Sequence, residues 1–428
     1  MKTTKFFMMA ALTLTFAACS NDDNEIIPQS SQTEGIPFSA TISIDNGTTT
    51  RAITENGTTL ETSWAENEKV ALIHNGVSDE MSVSSVSGGV ATITGTITGS
   101  PSGGDDVTII YPSDAADGAT GNVKSDWLAA QDGTLKGTGG TSIEEKYDVR
   151  KGTGTLNATG TSFSGTVSLT NQNAIFKLTL KDIDGSNNVS ASSVKIYNQE
   201  NTLLTTVTPA SGYEKVMYVA LPTTATTLKF AVTDGTTNYF NMASGLTLGT
   251  NFYQATIKLA TVGDVILSTG KCAKAGTSGA VAMIAYLGDG SGCMNGLAIE
   301  LNSSPESKKW ADGTTYLAKE YAEGLTAVPS GTWRLPTKAD WQNMFVGCAV
   351  SGDATVPDAN NEMDPIAGFK AKIAATGITW KSSNYWSSTE GGPGAWLVGV
   401  NLGDSSASAT FIGGPAILQM YVLGCLAF

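Results

Sequence analysis

Gly331-Thr332-Trp333-Arg334-Leu335-Pro336-Thr337-Lys338-Ala339-Asp340-Trp341 decides how the last third of the chain is read, together with its later counterpart, Tyr385-Trp386-Ser387-Ser388-Thr389-Glu390. Pro336 biases Leu335 toward an extended backbone, so the chain arrives as a strand or open loop. Thr337 then starts a helix. Its hydroxyl can accept from the amide of Asp340 while the Asp340 carboxylate reaches back, which makes a capping box. Trp341, Met344, Phe345 and Cys348 come next at helical spacing and define one apolar face. The Tyr-Trp-Ser-Ser-Thr run reads as a short strand entering a Gly-Pro loop over 391–394.

Upstream of this stretch the signals are those of β structure. Segments 70–74, 90–98, 107–111, 165–170, 174–181, 194–197, 216–221, 227–232 and 253–259 are rich in Val, Ile, Thr, Tyr and Phe. Turn residues such as Asp234-Gly235 separate them. In Ala174-Ile175-Phe176-Lys177-Leu178-Thr179-Leu180 the apolar residues alternate, so one face is buried. The pattern predicts β-sandwiches with Greek-key connections over 36–148 and 149–260. The boundary is placed near Asp148 because Gly-rich segments, 133–140 and 152–160, flank it.

At the start, Lys2 and Lys5 precede an apolar run over 6–18 that ends at small residues and is too short to span a membrane. Residues 1–18 therefore read as a signal peptide. Phe16-Ala17-Ala18-Cys19 resembles a lipobox, which implies that Cys19 is lipidated and becomes the mature N-terminus. Residues 19–35 form an acidic tether, and its run Asp22-Asp23-Asn24-Glu25 resembles the signal that sends lipoproteins to the outer face of the outer membrane. The 428-residue chain has 48 glycines, 15% charged residues and a net charge of −14. Such acidity argues against binding nucleic acid or anionic lipid through charge.

These residues carry two resemblances. The Trp333–Trp341 and Tyr385–Glu390 motifs, in that order, are similar to a bacterial surface module with the C-type-lectin-like fold, which implies an α+β domain over 261–428. Thr50-Arg51-Ala52, a Trp64-to-Val70 stretch, the 173–180 strand, Tyr218-Val219-Ala220-Leu221-Pro222 and a closing 246–259 segment resemble the fimbrillin-like lipoproteins of Bacteroidetes. That family implies two transthyretin-like sandwiches and pilus assembly by donor-strand exchange. A protease cuts after an arginine that comes after the first strand, here after Arg51 and before Ala52, and the strand over 38–44 is then replaced by one from another subunit. The whole is expected to be mainly β: two Greek-key, transthyretin-like sandwiches followed by a lectin-like domain.

Other constellations carry less. His74 is the only histidine and lies mid-strand, far from any nucleophile-elbow pattern, so hydrolase triads are excluded. Gly288-Asp289-Gly290-Ser291-Gly292 is read as a turn, since no Lys-Ser/Thr comes after it. Asp353, Asp358, Asn360, Asn361, Glu362 and Asp364 crowd one loop, but their spacing matches no EF-hand and a solvated loop is the reading preferred. Four cysteines fall in the last domain, and export makes disulfides the expectation. The lectin-like resemblance ties the first helix to the last strand and so implies Cys348–Cys425, which leaves Cys272–Cys293. Trp310, Trp333, Trp380, Trp386 and Trp396 are expected to be mostly core, with Trp386 and Trp396 the candidates for ligand contact. No catalytic residue, cofactor or metal ligand is assigned.

The function expected is a non-enzymatic, surface-exported lipoprotein: a fimbrial tip or accessory subunit for cell adhesion with an adhesin module at its C-terminus. Its partners are other fimbrial subunits, the outer membrane through lipid, and a host or bacterial glycan or protein ligand. The alternative is a glycan-binding outer-membrane lipoprotein that never polymerises.

Overall fold

The alternation Phe38, Ala40, Ile42, Ile44 becomes a strand, β1 (Ile36–Ile44), whose four apolar side chains are all buried. In the computed structural model, residues 35–428 are described apart from 45–46, 49–52, 138–139, 213, 289–294, 313, 354–363, 392–393 and 404–406. Cys19, Arg51, Ala52, Cys293 and most of the 353–364 loop lie outside the described residues. β1 joins β2 (Lys69–His74), β3 (Val77–Ser87), β4 (Val90–Ile97), β5 (Asp106–Tyr111), β6 (Arg150–Thr155) and β7 (Val167–Asn171) in a closed barrel. This corrects the expected sandwich. β1 runs antiparallel to β4 and parallel to β7, so it closes the sheet on itself.

β6 and β7, which come after the boundary expected near Asp148, belong to the barrel. Gly152 and Gly154 give a linker signal by composition, yet both lie in β6. A Cβ on Gly152 would come within 2.5 Å of Ser168 O, and one on Gly154 within 2.4 Å of Val167 Cγ2. These glycines mark close strand approach inside a sheet. In the other direction, the short strand Ala130–Gln131 leaves the barrel's sequence span to pair in the next module.

That module places β8 (Asn173–Asp182), β9 (Ser193–Tyr197), β10 (Leu203–Val207), β11 (Val216–Pro222), β12 (Thr227–Thr233), β13 (Asn238–Ser244) and β14 (Phe252–Leu259) in two sheets. The orders are β11-β8-β14 and β13-β12-β9-β10 with Ala130–Gln131 at the edge. Leu178, Val219 and Ile257 from the first sheet meet Val194, Phe230 and Val232 from the second in one core. The β12–β13 turn is built by Asp234, whose Oδ1 accepts from the amides of Thr236 (2.9 Å) and Thr237 (2.7 Å), while Oδ2 accepts from the Tyr239 hydroxyl (2.9 Å). The backbone N–H groups of Thr237 and Thr236 hold its carboxyl down at about 2. A depressed acid stabilises the fold above its unfolded value of about 3.9. Asp234→Ala should therefore cost about 1 kcal/mol at neutral pH, partial exposure keeping the figure small. In urea titrations at stepped pH the difference from wild type should vanish as pH falls through about 2; a difference constant with pH would sink this account.

Among its described residues the last module has two sheets and three helices. Its elements are β15 (Val265–Leu267), β16 (Ala280–Leu287), β17 (Gly296–Glu300), β18 (Ser307–Lys309), α1 (Leu317–Glu323), β19 (Thr332–Arg334), α2 (Lys338–Cys348), α3 (Ala367–Ala375), β20 (Ser383–Gly391), β21 (Gly394–Asn401), β22 (Ser408–Pro415), β23 (Gln419–Tyr421) and β24 (Cys425–Ala427). One sheet runs β15-β16-β17-β24-β19 with the short strand Cys272–Ala273 on the outer edge of β15, and the other β18-β23-β20-β21-β22 with the short strand Asp364–Pro365 on the outer edge of β22. The helix expected at Thr337 is present with its capping box, and its apolar face is Trp341, Met344, Phe345 and Cys348, all buried. α2 lies so close to β16 that a Cβ on Gly347 would be 2.3 Å from Ala285 O. In the acidic loop, Asp353 accepts from the amides of Ala367 and Gly368 (both 2.8 Å), so it caps α3 from a distance.

The modules are joined by apolar contacts. Ile73, Ile110 and Tyr147 of the barrel side pack with Ile175 and Ala220. Phe240 and Met242 pack with Trp333 and Phe428, the Phe240 and Phe428 ring centroids lying 4.5 Å apart. Among the described residues no helix is long and apolar enough to cross a membrane.

Candidate functional sites: the β1 groove and the junction of the two motifs

β1 is held unevenly. Along its length, from Ile36 opposite Ile97 to Ser43 opposite Val90, it pairs with β4. On the other side only Ile42, Ser43 and Ile44 pair, with Val167, Ser168 and Leu169 of β7. Its first half is otherwise tied across by the Ser39 amide to Thr161 O (3.1 Å). Inside, Phe38 meets Phe163 edge-on at 5.2 Å, and Ile42 is wholly buried among Val83, Ala91, Ile93 and Leu169. Lifting β1 out would leave an apolar trough between β4 and β7 with unpaired backbone along both walls, which is a template for another strand.

The chain beyond β1 is anchored independently of it. Ile53 is buried, and its amide donates to Glu144 Oε1 (3.0 Å). The short hairpin Thr54–Asn56 with Thr59–Ser63 carries Glu55 to the second module. There its carboxylate accepts from Lys177 Nζ (2.8 Å to each oxygen), Tyr218 Oη (2.6 Å) and Gln254 Nε2 (3.0 Å). The Lys177 ammonium, then the Tyr218 hydroxyl, hold the Glu55 carboxyl below its ordinary value. Sequence reading missed Glu55, because its partners lie more than a hundred residues away and no local pattern points to them.

In the last module the two sequence motifs are stitched together. The Ser388 amide donates to Pro336 O (2.8 Å) and the Lys338 amide to Thr389 Oγ1 (2.9 Å). Arg334 grips the wholly buried Asp340 with both terminal nitrogens, one at 2.8 Å. Asp340 thus serves the cap of α2 and the ion pair at once. Trp386, expected as a candidate for ligand contact, is wholly buried, and its Nε1 donates to Lys308 O (2.8 Å). The reason is that β20 is covered on both faces, Tyr385 entering the core under α2 and α3 while Trp386 enters the one under α1. Trp396 is half-buried, with the Lys338 ammonium 4.1 Å over its ring. Trp310, by contrast, edges a groove of about 310 Å³ that Arg334, Leu335, Ser388 and Glu390 also line.

The expected Cys348–Cys425 bridge is not formed, and Cys272 takes part in no disulfide either. α2 seats Cys348 over β16, where its thiol donates to Ala285 O (3.5 Å), two strands away from β24 in the sheet. Burial pushes the Cys348 and Cys272 thiols up to about 12. Thiolate is the reactive form, and Cys348 is also wholly buried, so Cys348 should resist iodoacetamide in native protein and react on unfolding. Rapid native alkylation of Cys348, read by peptide mass, would contradict the packing.

No family model matches the chain, and no curated protein matches it. Among solved structures, a fimbrial protein from Bacteroides ovatus aligns over 92% of this chain and 99% of its own, with 13% identity and a TM-score of 0.29. A fimbrial assembly protein from Parabacteroides distasonis aligns over 52% of this chain and 90% of its own, with 15% identity and a TM-score of 0.29.

Proposed function

We propose that this chain is a surface-exported adhesion subunit of pilus type, in which β1 is cut away after Arg51 and replaced by a strand of another subunit. The observation that carries the reading is β1 itself: an alternating strand, fully paired on one side and paired at only three residues on the other, that fills an apolar trough ahead of a chain anchored elsewhere through Ile53 and Glu55. Cys19 is the lipid-bearing residue, and residues 261–428 are a lectin-like adhesive module. The subunit accepts a strand and does not give one. Two features support this. β14 pairs with β8 along eight residue pairs, from Phe252 to Leu259. β24 is paired on both edges, by β17 and β19. A subunit of that kind belongs at the tip.

N-terminal sequencing of surface protein should find Ala52 first. Arg51→Ala should leave a longer form that stays out of pili, while Cys19→Ala should release the protein from the membrane fraction. Pili that incorporate the Arg51→Ala chain as well as wild type would refute strand removal. Gold label along the whole shaft would refute the tip position.

A further inference from the structure

The groove beside Trp310 brings together residues that no single segment supplies. Trp310 comes from the turn after β18, Tyr316 from the start of α1, Arg334 and Leu335 from the first motif, Ser388 and Glu390 from the second. Its aromatic wall is held in place before any ligand arrives. The Trp310 Nε1 donates to Ser387 O (3.1 Å), and the Tyr316 ring stands edge-on to it, centroids 5.0 Å apart at 84°. Tyr316 is 44% exposed, high for a large aromatic ring on a soluble surface.

The polar rim is one of paired charges. Lys319 and Glu323 form an ion pair at 3.7 Å, and Arg334 is neutralised by Asp340. Glu390 is exposed and makes no ion pair among the described residues, so the rim carries a small negative excess. A ligand suited to this wall needs apolar C–H faces for aromatic rings and hydroxyls for carboxylate acceptors and for Lys319 and Ser388. It should carry no negative charge of its own. The volume suits a ligand of one or two sugar rings, near the lower end of ordinary small-molecule sites.

The geometry points to a binding site for a neutral saccharide, with one pyranose ring against Tyr316 and Trp310 and its hydroxyls bonded to Glu390, Lys319 and Ser388. The C–H bonds of a pyranose are the positive end of a weak dipole, and the face of an aromatic ring is negative. Hydroxyls donating to carboxylate make the stronger, charge-assisted kind of hydrogen bond. This rests on the last module being the adhesive one, and not on strand exchange.

The test is a glycan array of neutral and sialylated or uronic-acid oligosaccharides probed with the full chain, followed by calorimetry with the neutral disaccharides retained. Tyr316→Ala and Glu390→Ala should each weaken binding about tenfold. Both side chains are exposed, so circular dichroism should show both variants folded. Glu390→Gln should recover part of the loss by keeping one acceptor. Neutral glycan binding unchanged in both alanine variants would leave the module adhesive and overturn its assignment to this groove. Preference for acidic glycans would overturn the ligand class, and retention of no glycan at all would overturn the inference together with the saccharide reading of the module.

Discussion

A chain that begins at Ala52 is expected to lose the cooperative unfolding of the barrel while the second and third modules keep theirs. Removing β1 strips the barrel of Phe38, Ile42 and Ile44, each buried. At about 2 kcal/mol per buried side chain this amounts to about 6 kcal/mol, comparable with the whole stability of a domain. The backbone bonds along β4 are lost as well. The fault should be repairable in trans. A synthetic peptide spanning β1 should bind the shortened chain, restore the transition in scanning calorimetry and restore slow amide exchange in β4. The same peptide with Ile42→Asp should do neither, since it would bury a charge in an apolar trough. A shortened chain that unfolds like wild type and ignores the peptide would show that β1 is dispensable, and the proposed strand exchange would fall with it.

Asp340→Ala is expected to be the most damaging single substitution in the last module. It removes the helix cap, about 1 kcal/mol, and leaves Arg334 without its carboxylate. Breaking a buried pair by removing one partner costs about 3–5 kcal/mol. The Arg334 side chain keeps 23% exposure, so the lower end, about 3 kcal/mol, applies. Asp340→Asn keeps an acceptor for the cap and loses the charge, so it should fall between. Thermal melts of the three proteins order these effects. Equal melting of wild type and Asp340→Ala would mean that the junction of the two motifs does not depend on this ion pair.

Local pattern was enough for much of the fold. Nine expected strands all appear, with ends within two residues of those observed, because alternation of β-branched and aromatic residues is itself the consequence of one buried face. Val77–Ser87 escaped because only Met81 and Val83 among its residues are buried, leaving little alternation to see. The capping box and the apolar face of α2 were legible because a helix start depends on residues three or four apart.

The functional sites were legible only where they were local. That 38–44 is a strand with one buried face could be read from its own alternation; its removal was implied only by the family resemblance, and that it closes a barrel could not be read at all. Strand partners separated by more than a hundred residues, such as Ile42 and Val167, leave no trace in either segment alone. Gly152 and Gly154 carry a linker signal by composition and a packing role in space, because the same lack of a side chain serves both. Trp386 and Trp310 are equally aromatic in the sequence. Only the layering of the last module, with a core on each face of β20 and an open edge beside α1, buries the first and leaves the second at a groove. The amino-acid order sets where strands and helices form, since those depend on near neighbours; which faces are covered depends on contacts across the whole chain, and these exist only in the folded molecule.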